Sequence, residues 1–222
     1  MQHKRINIFC GHYGSGKTNI AVNFALRLRK THDRVSIIDL DIVNPYFRTK
    51  DSQQELGAAG VELISSDYAG SNLDIPALPA AMMRPLAEQD TQVVMDIGGD
   101  DQGAVALGRF ADQLNDAGDF DMFFVLNLYR PLTQSAEDAL EVMRDIEQAC
   151  ALRFTGIVHN SNLGALTTLQ DVLNKQTEAQ KLCALSGLPL VMTTVREDLQ
   201  QDAAKLLPDV CGLRLQKQLF QP

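Results

Sequence analysis

"CGHYGSGKTN", residues 10–19, decides the fold. Gly11-x-x-x-x-Gly16-Lys17-Thr18 is a complete Walker A pattern, and the apolar run "INIFC" (6–10) before it reads as a buried strand. After Lys17 the period changes: Ile20, Phe24 and Leu28 fall on one helical stripe. A strand, a glycine loop and then a helix give the pattern its chemistry. The glycines let successive backbone N–H groups turn inward around an anion, and the helix N-terminus adds partial positive charge. Gly11, Gly14, Ser15, Gly16, Lys17, Thr18 and Asn19 are therefore the expected phosphate-binding residues. Lys17 reaches for the β- and γ-phosphates, and the Thr18 hydroxyl serves Mg²⁺.

Outward from the loop, apolar runs of strand length alternate with longer helical patterns. The strands expected are 6–10, 34–41, 61–64, 91–97, 121–127, 154–160 and 188–195. The segments 133–149 and 167–187 are helical by period, and Gly187 suits a C-cap. Continuously apolar strands between such helices predict an α/β fold, a mostly parallel sheet of about seven strands with helices on both faces. Ligands of such sheets sit beyond the carboxyl ends of the strands. Asp39, Asp41, Asp96, Asn127 and Asn160 all stand at or just past such ends.

Phosphoryl transfer needs an oxygen ligand for Mg²⁺ or its waters and a second group that orients the attacking water. "VVMDIGGDD" places Asp96 at a strand end as a Walker B aspartate, and its D-x-x-G form puts the Gly99 amide where a γ-phosphate would be sensed. "IIDLDIVN" supplies Asp39 and Asp41. Any one of these alone reads equally as a helix cap or turn residue. As a set on two strands of a phosphate-loop sheet they point to an active site.

The 222 residues, 45% hydrophobic, suit one domain over 1–222, and no Pro/Gly/Ser-rich linker divides them. A formal charge of −8 opposes broad contact with DNA or an anionic membrane, so no specific DNA binding is expected. No apolar run is long enough to span a bilayer, and Cys10, Cys150, Cys183 and Cys211 show neither metal-ligand nor disulfide spacing. These features fit a cytoplasmic protein with reduced thiols.

The order of motifs resembles the MinD/ParA-type ATPases of the SIMIBI class, which includes the nitrogenase iron protein and the nickel-insertion ATPases. The phosphate loop comes first, "DLD" follows strand two, "DIGGD" follows strand three, and "VHN" comes late, so the likeness runs over roughly residues 5–200. It is nearest to bacterial ATP-binding proteins with "GH-aromatic-GSGKT" and "DLDIVNPYFR" segments. The resemblance implies an ATPase that binds ATP and Mg²⁺, forms a homodimer and changes its contacts with a client protein between ATP and ADP states. It implies that Lys17 and Asp41 are catalytic, with Asp41 orienting water, and that Thr18, Asp41 and Asp96 serve the metal. Asp100 stands where the iron protein's "DVLGD" ends. Asn160 matches a base-reading asparagine, and "TTVRED" (193–198), with Val195 and Arg196, matches the second base-lining loop.

One position departs from the family. MinD/ParA-type loops read G-K-G-G-x-G-K-T, and the signature lysine at the second place crosses a dimer to the partner's nucleotide. Here His12 holds that place, followed by Tyr13. A histidine is shorter and charged only part of the time near neutral pH. Arg48, in "NPYFR" (44–48), is a second candidate for a cis or trans phosphate contact, while Tyr46 and Phe47 suit packing. "NLYRP" (127–131) puts Asn127 and Arg130 on a strand-end loop, in a site, partner or plain loop role. The tail "LRLQKQLF" (213–220) is faintly amphipathic and suits a docked terminus better than a membrane anchor. Two other functions remain open. A GTP-binding metal chaperone would carry N-K-x-D, and "NKQT" (174–177) lacks the aspartate; a small-molecule kinase or ligase would need an acceptor pocket with no signature here.

Overall fold

Strands buried on both sides need no polar face, and β1 (Ile6–Cys10) is buried at every position. The computed structural model describes residues 3–40, 52–65, 80–99 and 101–215. After β1 come α1 (Lys17–Leu28), β2 (Val35–Leu40), α2 (Gln53–Ala58) and β3 (Glu62–Ser65). Next are α3 (Ala80–Ala87), β4 (Gln92–Ile97), α4 (Asp101–Gly108), α5 (Ala111–Ala117) and β5 (Phe120–Leu126). The chain continues through α6 (Ala136–Cys150), β6 (Gly156–His159), α7 (Leu169–Ser186), β7 (Leu190–Arg196), α8 (Gln200–Ala203) and β8 (Val210–Leu213).

The strands form one eight-stranded sheet in the order β3-β2-β4-β1-β5-β6-β7-β8. Every described pair is parallel. The α/β expectation holds, with one strand more than the seven read from sequence. The addition is β8: "VCGL" is four residues long, contains Gly212 and follows Pro208-Asp209, so it carries little strand signal. Its Cys211 and Leu213 are nevertheless buried against the α1 side of the core.

Strand periodicity assigns the two faces. Ile6, Ile8 and Cys10, with Val93, Met95 and Ile97 and with Met122, Phe124 and Leu126, pack against residues of α3 to α7. Phe9, Val94, Phe123 and Val125 face the other way, onto Ile20, Phe24 and Leu28 of α1 and Leu56 of α2. Both faces are thus covered by helices. α6 and α7 each begin with a capping box, Ser135 with Asp138 and Thr168 with Asp171, and α7 ends on left-handed Gly187.

The chain leaves central β1 toward β2 and β3 on one side, returns through β4, and then runs outward from β5 to β8. The reversal sits at the end of β1, the place where a parallel sheet opens a crevice for a ligand. The outer strands β3 and β8 are only four residues each. At β8 the Gly212 carbonyl accepts Arg27 Nη2 at 2.9 Å, and at β3 the Glu62 side chain takes the Ser36 hydroxyl and Arg84. Opposite the crevice, buried Arg5 holds the end of α3, donating to the Leu86 and Glu88 carbonyls at 2.9 Å each.

Candidate functional site

The loop after β1 is shaped by its own backbone before any ligand is considered. Ser15 N donates to the His12 carbonyl at 3.1 Å, which closes a turn, and Ile20 N donates to the Gly16 carbonyl at 3.1 Å, which starts α1. Gly16 is the N-cap of α1 at φ 91°, a left-handed conformation open to glycine. A Cβ there would also collide with the Asn160 amide. No side chain caps α1 and no acidic residue lies in its first turn, whereas α6 and α7 both have capping side chains. The α1 N-terminus therefore presents its partial positive charge to the phosphate loop without a neutralising acid in its first turn.

Lys17 and Thr18 are both buried in the first turn of α1. Lys17 Nζ donates to the His12 carbonyl at 3.3 Å. Gly99, past the end of β4, crowds the same place: a Cβ on it would lie 2.6 Å from the Tyr13 nitrogen and 2.7 Å from Lys17 Nζ. The glycine of the D-x-x-G segment is thus against the phosphate loop and its lysine. The His12 imidazole is half-buried, and its pKa is lowered by burial and then by the Lys17 charge. Both effects favour the uncharged imidazole, which weakens it further as a stand-in for a permanently charged lysine. Asn19, half-buried, lies one residue into the helix beyond Thr18 and gives its carbonyl to Asn23 Nδ2 at 2.8 Å.

Asp96 is fully buried near the end of β4, in register with Phe9 of β1 on one side and Asp39 of β2 on the other. Residues paired in a parallel sheet point to the same face. Phe9 belongs to the α1 side, so the Asp39 and Asp96 carboxylates lie side by side on the face covered by α1. Asp39 was legible as a strand-end carboxylate, but its pairing with Asp96 required the register. Asp41, Arg48 and Asp100 lie outside the described residues, as does most of the 213–220 tail.

A chain of asparagines holds the loop from the other side. Asn160 Nδ2 donates to the Ser15 carbonyl at 2.7 Å, and Asn160 Oδ1 accepts the Thr194 hydroxyl at 2.6 Å. The Asn160 carbonyl takes Asn162 Nδ2 at 2.8 Å, and Asn127 Oδ1 takes the Asn162 nitrogen at 3.2 Å. The buried Asn160 amide therefore braces the phosphate loop, using one donor and one acceptor position within the protein. Thr194 was read only as part of the "TTVRED" segment, and Asn162 was not singled out in the sequence because it belongs to no motif. Val195 is buried with Val172, Ala203 and Leu207. Arg196 pairs with Asp198 and donates to the Ala165 carbonyl, tying the loop after β7 to the loop after β6. Arg130 donates from Nε to the Gly14 carbonyl at 2.8 Å.

No protein-family model matches the chain, and no curated protein matches it. Solved structures do. FtsY of Mycoplasma mycoides is 16% identical with a TM-score of 0.55, over 86% of this chain and 59% of that one. FlhF complexed with GTP/Mg²⁺ is 14% identical with a TM-score of 0.56, over 87% of this chain and 66% of that one. The signal recognition particle 54 kDa protein of Aeropyrum pernix, in complex with GDP, is 16% identical with a TM-score of 0.54, over 86% of this chain and 41% of that one. The chain thus spans less than two thirds of the length of these proteins. The likeness is one of fold, an α/β architecture built on a parallel sheet. These three are not MinD/ParA proteins, so the fold does not by itself select that branch.

Proposed function

We propose that the chain is a nucleotide-hydrolysing switch that binds ATP with Mg²⁺ and acts on a client protein. The observation that carries this is buried Lys17 and Thr18 in the first turn of α1, with Gly99 of the segment after β4 set against the Lys17 ammonium. In this reading the loop amides hold the phosphate chain and Lys17 leaves the His12 carbonyl for the β- and γ-oxygens. Thr18 and Asp96 offer a hydroxyl and a carboxylate, the hard oxygen donors that suit Mg²⁺. Held there with the nucleotide, the cation would neutralise phosphate charge. Asp41 orients the attacking water, and Gly99, already against Lys17, registers the γ-phosphate through its backbone.

Adenine is preferred in this reading because the loops after β6 and β7 leave no carboxylate for a guanine edge. Residues 160–168 contain no acid. Asp198 is held by Arg196, and Glu197 lies 3.8 Å from Arg214. The Asn160 amide gives one bond to the loop and takes one from Thr194, so in this reading its first task is to brace the loop. A second reading, GTP, is supported by the nucleotides named with FlhF and the 54 kDa protein. A protein partner and a homodimer are supported by the exposed Tyr13, Leu132, Leu163 and Leu166 on loops at the carboxyl rim of the sheet. The client belongs to an assembly step such as metallocentre or enzyme maturation.

The test is displacement of a fluorescent nucleotide by ATP, ADP and GTP, followed by phosphate release. Lys17→Ala should weaken ATP binding at least tenfold, about 1.4 kcal/mol. Wild-type affinity in that variant would overturn the site, and equal displacement by GTP would overturn the adenine preference.

A further inference from the structure

We infer that Arg130 is a positioning residue of the phosphate loop, aiming the loop's amides by holding the Gly14 carbonyl from outside. The inference rests on the nucleotide reading for its purpose and on the geometry for its mechanism. Arg130 comes from the loop after β5, 116 positions from Gly14, yet its Nε reaches the Gly14 carbonyl at 2.8 Å. The side chain occupies the place of a side chain on Gly14: a Cβ there would lie 3.2 Å from Nε and 3.5 Å from Cδ.

The peptide plane converts that contact into a directional effect. In a trans peptide the C=O and the following N–H point in opposite directions. Arg130 holds the carbonyl of the Gly14–Ser15 peptide, and Asn160 holds that of the next peptide, Ser15–Gly16. Two consecutive carbonyls are thereby fixed outward, which turns the Ser15 and Gly16 N–H groups away from the clamps. The Ser15 N–H goes to the His12 carbonyl and closes the turn, so the clamps set that turn and aim the Gly16 amide at an anion.

The arginine is itself well anchored. Its nitrogen donates to the Asn127 carbonyl at 3.1 Å, its carbonyl accepts Thr133 N at 3.0 Å, and Pro131 after it favours its extended backbone. Asn127 is in turn bonded to Asn162, so the clamp is continuous with the asparagine chain. Arg34, Arg84, Arg153 and Arg196 all pair with carboxylates, but among the described residues none pairs with Arg130. Its charge stays available to the loop. A guanidinium suits this task because Nε–H fixes the fork's orientation, which an ammonium does not.

Two measurements on Arg130→Ala and Arg130→Lys decide the matter. In the nucleotide-free protein, amide hydrogen exchange over residues 12–16 should quicken about tenfold in Arg130→Ala, the effect of one hydrogen bond to a charged donor. Arg130→Lys should recover about a third of the difference on a logarithmic scale, through charge without the fork. In nucleotide titrations ATP and ADP should weaken together, about tenfold, leaving their ratio unchanged. Unaltered exchange in Arg130→Ala overturns the inference. Loss of ATP affinity alone also overturns it, because that marks a direct γ-phosphate contact. Should the wild-type protein bind no nucleotide, the functional reading fails while the exchange result still decides the role of Arg130.

Discussion

Asn160 and Ser15 are 145 positions apart in the chain and joined by a 2.7 Å hydrogen bond from the asparagine amide to the loop carbonyl. Two loops at the carboxyl rim are thereby made into one unit. Asn160→Asp keeps the size and removes the donor, so it sets a carboxylate oxygen against a carbonyl. We expect nucleotide affinity to fall about tenfold or more. Inorganic tripolyphosphate, which has no base, distinguishes bracing from base reading. A brace weakens it as much as ATP; unchanged tripolyphosphate binding would show that the amide serves the base.

Asp96 and Asp41 should separate binding from turnover. Asp96→Ala is expected to lose magnesium dependence together with hydrolysis, while Asp41→Ala keeps ATP affinity and loses at least about tenfold in rate. Titrating Mg²⁺ against phosphate release in both variants checks this. Full turnover in both would place the active site elsewhere.

Gly99 has no room for a side chain. In Gly99→Ala the new methyl meets the Tyr13 backbone at 2.6–2.7 Å, so the segment after β4 or the loop must move. The expected destabilisation is about 1–3 kcal/mol, the usual range for overpacking. Thermal melting and nucleotide titration should both shift. Wild-type behaviour in both would mean that the contact is slack.

His159 makes stability depend on pH. It is fully buried at the end of β6, with Nδ1 3.1 Å from Gln176 Oε1, and burial lowers its pKa from 6.5 to about 4. Among the described residues Nε2 has no hydrogen-bond partner. The unfolded chain binds the proton first as pH falls, so unfolding is favoured between those two values. Its contribution is complete above pH 6.5 and is lost as pH falls toward about 4, a change of about 3 kcal/mol. Urea unfolding from pH 4 to 7 should show that slope, and His159→Gln should flatten it. An equal slope in the variant would assign the effect to other groups.

Much of this was legible in the sequence where a pattern repeats locally. The phosphate loop, α6, α7 and the apolar strands carry their own period and caps, so their places follow from neighbouring residues. β8 did not show because "VCGL" has no alternation, and its burial depends on α1 nearly two hundred positions earlier. The short helices α2, α3, α4, α5 and α8 escaped for a related reason: with one or two turns they show too little period, and α4 contains Gly103. At the site, Lys17 and Asp96 could be named from motifs. The bracing bonds of Asn160, Thr194 and Arg130 could not, since they join segments that only the sheet order brings together.

The two outer strands bear on how the protein stays dispersed at high concentration. A long bare edge invites another chain to add a strand, the first step of amyloid-like growth. Here β3 and β8 are four residues each, and an arginine already occupies the Gly212 carbonyl. An incoming strand finds a short template with a missing acceptor and charged side chains beside it.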